Sequence, residues 1–186
     1  MTLPSEIIIK QTQCWISNII VAYNVCPFAK RELERNRIFY QVCSHTTLAD
    51  ALDVLIAECT RLDANPDIET SFVIYSHNFT DFFHFLELVD FSNELLVSQG
   101  YEGIYQIASF HPDYCFNETS QDDPSNFTNR SPYPMLHLLR ESSMTKALEN
   151  YQEPDKIPVR NIAKFRELGN TVFQEILDNC KKNSRE

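Results

Sequence analysis

A chain of 186 residues has the length of one domain, and its 43% hydrophobic and 23% charged residues suit a folded protein with a core. Sixteen Lys and Arg stand against 26 Asp and Glu, a formal charge of -10 that makes nucleic acid and anionic membranes unlikely partners by long-range repulsion. No basic, cleavable leader opens the sequence and no apolar run has the length of a bilayer, so cytoplasmic residence is the expectation.

Pro4 to about Tyr23 carries Ile8, Trp15, Ile16, Ile19, Ile20 and Tyr23 at helical spacing, and Asn24 ends it. Cys26-Pro27 restarts a short helix through Arg35, proline being suited to a first helical position. Arg37–Cys43 is rich in β-formers and predicts the first strand. Thr46 or Thr47 can cap the next helix, whose Leu48, Ala51, Leu52, Leu55, Ile56, Cys59 and Leu62 keep one apolar face. Ser71–Ser76 is the second strand. Thr80 or Asp81 then caps a helix to about Gln99 that is apolar nearly all round and is expected to be heavily buried. Gly100 suits the position just past that helix, and Tyr105–Phe110 is the third strand. Two further helices are expected, Pro134 to about Asn150 and Val159 to about Lys182, joined by a Pro154–Pro158 linker, with residues 183–186 frayed. The alternation of strands and helices predicts a single α/β domain over residues 1–186: a small, mostly parallel sheet of about three strands with helices packed on it and two C-terminal helices.

The stretch from Phe110 to Glu141 concentrates the chemistry. His111 and Asp113 follow the third strand, where ligands gather in open α/β sheets; they fit a general base with its orienting carboxylate, or a strand cap with an Asx-turn. Asp122-Asp123-Pro124 has turn chemistry, and a divalent metal is the sharper alternative. Asn129 and Arg130 lead into the expected helix, whose free N–H groups would favour an anion; a bridge from Arg130 to Asp122 or Asp123 is the competing role. Within that helix His137, Arg140 and Glu141 would share a face, either convergent or merely solvated. Cys26, at a helix start with Lys30 and Arg31 one turn on, is the thiol with a reason to be reactive; burial as a small hydrophobe is the alternative. Arg160 adds a cation for the pocket or for a capping bridge. The six cysteines show no zinc or dithiol spacing and read as independent, reduced thiols. With three glycines, the chain has no nucleotide-binding fingerprint.

These blocks carry a resemblance. Trp15, Asn24–Ala29, Ala108–Tyr114, Asn129–Glu141 and Ile157–Ile162 resemble the bacterial domain-of-unknown-function family 1415 over most of the chain. The resemblance implies no established activity, cofactor or catalytic residue. The favoured expectation is a small-molecule enzyme whose pocket holds an anionic substrate, with Cys26, His111, Asp113 and His137 as catalytic groups and Asn129, Arg130, Arg140 and Arg160 as binding groups. A metal- or ligand-binding protein using the same wall is the runner-up, and a structural interaction module the third. The pattern sets neither a cofactor nor an oligomeric state.

Overall fold

The computed structural model describes residues 3–149 and 151–182, so the expected fraying at 183–186 lies outside the described residues. β1 (Ile38–Cys43), β2 (Thr70–Tyr75) and β3 (Tyr105–Phe110) fall on the expected strands, offset by no more than one residue. A fourth strand, β4 (Met135–Arg140), inserts between β2 and β3 and gives the order β1-β2-β4-β3. β1 pairs with β2 in parallel, whereas β4 is antiparallel to both its neighbours. The sheet is therefore mixed and four-stranded, not a mostly parallel one of three.

The difference has a physical source. Met135, Leu136 and Leu138 are all buried because both faces of this central strand are covered. Such a run has no polar alternation, and periodicity cannot separate it from a buried helix. The helix expected from Pro134 begins only at Glu141, as α5 (Glu141–Glu149). His137 and Arg140, expected on one helical face, consequently project from opposite sides of a strand.

Helices cover both faces. α3 (Leu48–Ala64) starts at Thr47, whose hydroxyl accepts the Asp50 N–H at 3.2 Å, and α4 (Phe82–Ser98) at Asp81, which accepts from the His84 N–H at 2.9 Å. Gly100, at φ 79°, lets the Tyr101 N–H close back onto the Leu96 carbonyl at 2.8 Å. Because β1, β2 and β3 run in one direction, right-handed connections put α3 and α4 on the same side. There Leu55, Cys59, Leu62, Phe85 and Leu88 pack on Val73, Tyr75, Leu136 and Leu138. Only part of α4 contributes: Phe83 is 77% exposed and Phe91 and Val97 also face outward, against the expectation of a heavily buried helix.

The opposite side is covered by α1 (Ser5–Trp15), a π-helical continuation (Ile16–Val21), α6 (Lys156–Leu168) and α7 (Asn170–Lys182). Trp15, Ile16, Ile19, Phe165, Phe173 and Leu177 form this core with Phe72, Ile74 and Met135. The single C-terminal helix expected from Val159 breaks at Gly169, φ 80°, and Pro158 lies inside the first turn of α6 rather than in a linker. Cys14 and Cys180 form a disulfide between α1 and α7 with a Cα–Cα distance of 5.5 Å, so these two are not independent thiols. Cys26, Cys43, Cys59 and Cys115 are free. Among the described residues, no helix is long and apolar enough to cross a membrane.

Candidate functional site

A cavity of about 900 Å³ opens on the α1/α6 side of the sheet. Its floor is Phe72, Ala108, Phe110 and Leu139 of the strands; Trp15, Ile16 and Ile20 form one wall, Met144 and Ala147 of α5 with Ile157 and Ile162 of α6 another. Ala108 is paired with His137 in the sheet register, and its small side chain leaves room above the floor. The volume and the predominance of apolar side chains are those of a small-molecule pocket.

The entrance to α2 (Ala29–Glu34) is held against this cavity by local geometry. The Val25 N–H donates to the Ile20 carbonyl at 2.9 Å, and Asn24 turns the chain at φ 54°. From α6, the Asn161 amide donates to the Val25 carbonyl at 2.8 Å, Arg160 to the Asn24 carbonyl at 3.3 Å and Lys164 to the Tyr23 carbonyl at 3.1 Å. The segments Asn24–Ala29 and Ile157–Ile162, distant in sequence, thus meet at one end of the cavity.

Polar groups of the wall include residues of β4, β2 and α2. His137 stacks on Phe72 with centroids 3.7 Å apart, and its Nε2 lies 2.5 Å from the Thr70 hydroxyl. That hydroxyl also donates to the Leu138 carbonyl. With its proton committed there, Nε2 must carry the ring proton, which leaves Nδ1 as an acceptor. Burial pushes the imidazole down to about 3, so the ring is neutral near pH 7. Glu69 precedes Thr70 at the start of β2, and Glu32 comes from α2. Arg31 Nε donates to Glu32 Oε1 at 2.6 Å and Arg37 Nη2 to Glu69 Oε2 at 2.9 Å.

The family model described as "Protein of unknown function (DUF1415)" matches residues 7–175, a span that contains every wall residue. The chain belongs to this family. No curated protein and no solved structure matches it.

Of the residues singled out from the sequence, this DUF1415 chain brings Cys26, Asn129, His137 and Arg140 to the cavity wall. Burial raises the Cys26 thiol, and the Phe28 and Ala29 N–H groups only partly offset it, which disfavours the thiolate form that a reactive cysteine uses. Arg140 contributes to the wall, but its guanidinium is committed to the other side of the sheet: it donates to the Leu62 carbonyl at 2.5 Å, the Ile68 carbonyl at 3.1 Å and the Tyr105 hydroxyl at 3.2 Å. Asn129 donates to the Ser109 carbonyl at 3.1 Å and fixes the loop after the short 3₁₀ turn Pro124–Thr128.

His111, Asp113, Arg130 and Arg160 lie outside the cavity. His111 is fully buried among Phe82 and Phe85 of α4; Nε2 donates to the Phe79 carbonyl at 2.9 Å and Nδ1 accepts the Asp113 N–H at 3.0 Å. Burial lowers its pKa, and both ring nitrogens are spent on holding the turn after β3. Asp113 meets that ring through its backbone, with an exposed side chain. Arg130 donates to the Tyr114 and Gln121 carbonyls at 3.1 and 2.7 Å and lies over Phe127, stapling the intervening loop. It does not bridge Asp122 or Asp123; Arg166 takes Asp123 in a two-toothed pair at 2.7 and 3.1 Å, which depresses that carboxyl. The helix N-terminus expected to hold an anion is absent, since the residues after Arg130 enter β4. Arg160 braces Tyr151 and the Asn24 turn.

The two histidines sit on opposite sides of the sheet, and among the described residues no group of three His, Cys, Asp or Glu could hold a metal ion. Sequence reasoning missed Glu32, Glu69 and Thr70. Glu32 sits in the charged run Lys30-Arg31-Glu32-Leu33-Glu34-Arg35, which reads as a solvated helix face, and only the docking of α2 against the cavity distinguishes it.

Proposed function

We propose that this protein binds a largely apolar small molecule in the 900 Å³ cavity and acts as a ligand-binding domain. The observation that carries this reading is the cavity itself: an aromatic and aliphatic enclosure with a few polar groups grouped on its wall, in a sheet whose other face is filled. An enzyme using the Cys/His/Asp/Arg pocket expected from the sequence has less support, because four of its eight candidate residues, His111, Asp113, Arg130 and Arg160, are outside the wall. The reactive groups that do face the cavity are held neutral, Cys26 as a thiol and His137 as an unprotonated ring, which suits recognition better than nucleophilic or acid chemistry near pH 7.

Trp15, the sole tryptophan, belongs to the wall and reports on occupancy. Titration with the neutral fluorophore N-phenyl-1-naphthylamine should give saturable energy transfer from Trp15 with a stoichiometry of about one, as for a single enclosed pocket. Ala108→Leu, which fills the space above the floor, should remove it. Absence of saturation, or binding unaffected by Ala108→Leu, would overturn the proposal.

A further inference from the structure

The unmet hydrogen-bonding capacity of the wall has one sign. Among the described residues, three residues of the cavity wall carry a buried side-chain polar atom with no hydrogen-bond partner within the chain: Glu32 Oε2, Glu69 Oε1 and Asn161 Oδ1. Each is an acceptor. His137 Nδ1, an acceptor in the tautomer that Thr70 imposes, adds a fourth. Glu32 and Asn161 are each only 6% exposed, so water does not freely satisfy them. Leaving a buried acceptor unmet is costly, and a charged one more so.

The neighbouring cations do not close the account. Arg31 serves the other oxygen of Glu32, and Arg37 Nη1 stands 3.6 Å from Glu32 Oε2, beyond hydrogen-bond length, while its Nη2 serves Glu69. The remaining arginines of the wall are engaged with other acceptors, Arg140 with backbone carbonyls and Arg166 with Asp123. An anionic head group would bring further acceptors beside buried oxygens that already lack a donor. A head group with several N–H donors would meet them, and the overall charge of -10 draws such a cation toward the protein.

We infer that the ligand is a protonated amine on an apolar body, its ammonium group received by Glu32 and Glu69 and its hydrocarbon part lying on Phe72, Phe110 and Trp15. This rests on the cavity being a ligand site, and it reverses the anionic substrate expected from the sequence. The test uses three probes of matched chain length, octylamine, 1-octanol and octanoate, titrated into the full chain near pH 7.5 and read by Trp15 fluorescence.

Octylamine should bind about ten- to a hundredfold more tightly than octanoate, the discrimination of a charge-assisted hydrogen bond, with octanol between them. Glu32→Gln and Glu69→Gln, made singly so that each fold can be checked by circular dichroism, should each cut the preference for octylamine over octanoate. Octanoate binding as tightly as octylamine would overturn the amine assignment and leave the cavity reading standing. An amine preference that survives both substitutions would overturn the assignment equally. Failure of all three probes to bind would instead remove the cavity reading and this inference with it.

Discussion

Two glutamates, one on each side of the same sheet, show how differently its faces are finished. Glu58 of α3 is 1% exposed and has both oxygens occupied, one by Arg61 at 3.0 Å and the other by the Ser71 hydroxyl at 2.7 Å. Glu32, on the cavity side, is nearly as buried, yet one of its oxygens has no hydrogen bond and only Arg37 at 3.6 Å beside it. The first face is built as a core, with aliphatic side chains interlocked over Val73 and Leu138 and its charged groups matched internally. On the second face, enclosure is achieved without filling, and a matched charge is left half done. Unmatched polarity beside unfilled volume distinguishes the second face from the first, and it is the contrast on which the ligand-binding proposal rests.

Mutations on the two faces should therefore have unequal costs. Leu55→Ala, on the filled face, should lower the free energy of unfolding by about 2–5 kcal/mol in a denaturant titration, because the hole it leaves cannot collapse. Ala108→Leu, on the cavity floor, should change it by less than about 1 kcal/mol, since the added volume enters existing space. Equal effects would break the contrast. Next in size, Glu58→Ala should cost about 2–3 kcal/mol by stranding Arg61 and the Ser71 hydroxyl. Glu32→Gln should stay within about 1 kcal/mol, its arginine partner being more than half exposed.

The two faces also share a pH dependence, to which each contributes one buried histidine. Burial lowers the pKa of both His111 and His137. As pH falls below the ordinary histidine value of about 6.5, the unfolded chain takes up protons that the folded one refuses. Stability is thus complete above that value and is lost toward the folded pKa, about 3 for His137. The slope should reach at most about 1.4 kcal/mol per pH unit for each group. His137→Phe retains a ring on Phe72 and should remove one group's share of the slope between about pH 6 and 4. An unchanged slope would assign the proton uptake to other residues.

Much of the fold was legible because local chemistry and global position agreed. The strand stretches were read from β-branched and aromatic residues, and Thr47, Asp81 and Gly100 sit at the helix ends their chemistry suits. β4 was misread because Met135-Leu136-His137-Leu138-Leu139 is apolar on both sides. Covering a strand from above and below erases the signal that separates it from a helix. α4 failed in the other direction, as hydrophobic content cannot tell which side of a helix is covered, and Phe83 points outward.

The lining of the candidate site was legible in part. His137 and Cys26 were noticed for their chemistry and do reach the cavity. His111 and Arg130 were noticed for the same reason and serve the loops they lie in. Residue type announces capacity, and only packing assigns its use.

The strand order also has a consequence for how the protein is made. β4 lies between two strands that precede it in the chain, so β2 and β3 leave the ribosome without the neighbour that joins them. Until residue 140 has emerged, each carries an open row of amides and carbonyls able to capture another nascent copy. Shielding of the early chain by chaperones matters most in that interval, and fragments ending before β4 should be aggregation-prone even though they contain three of the four strands.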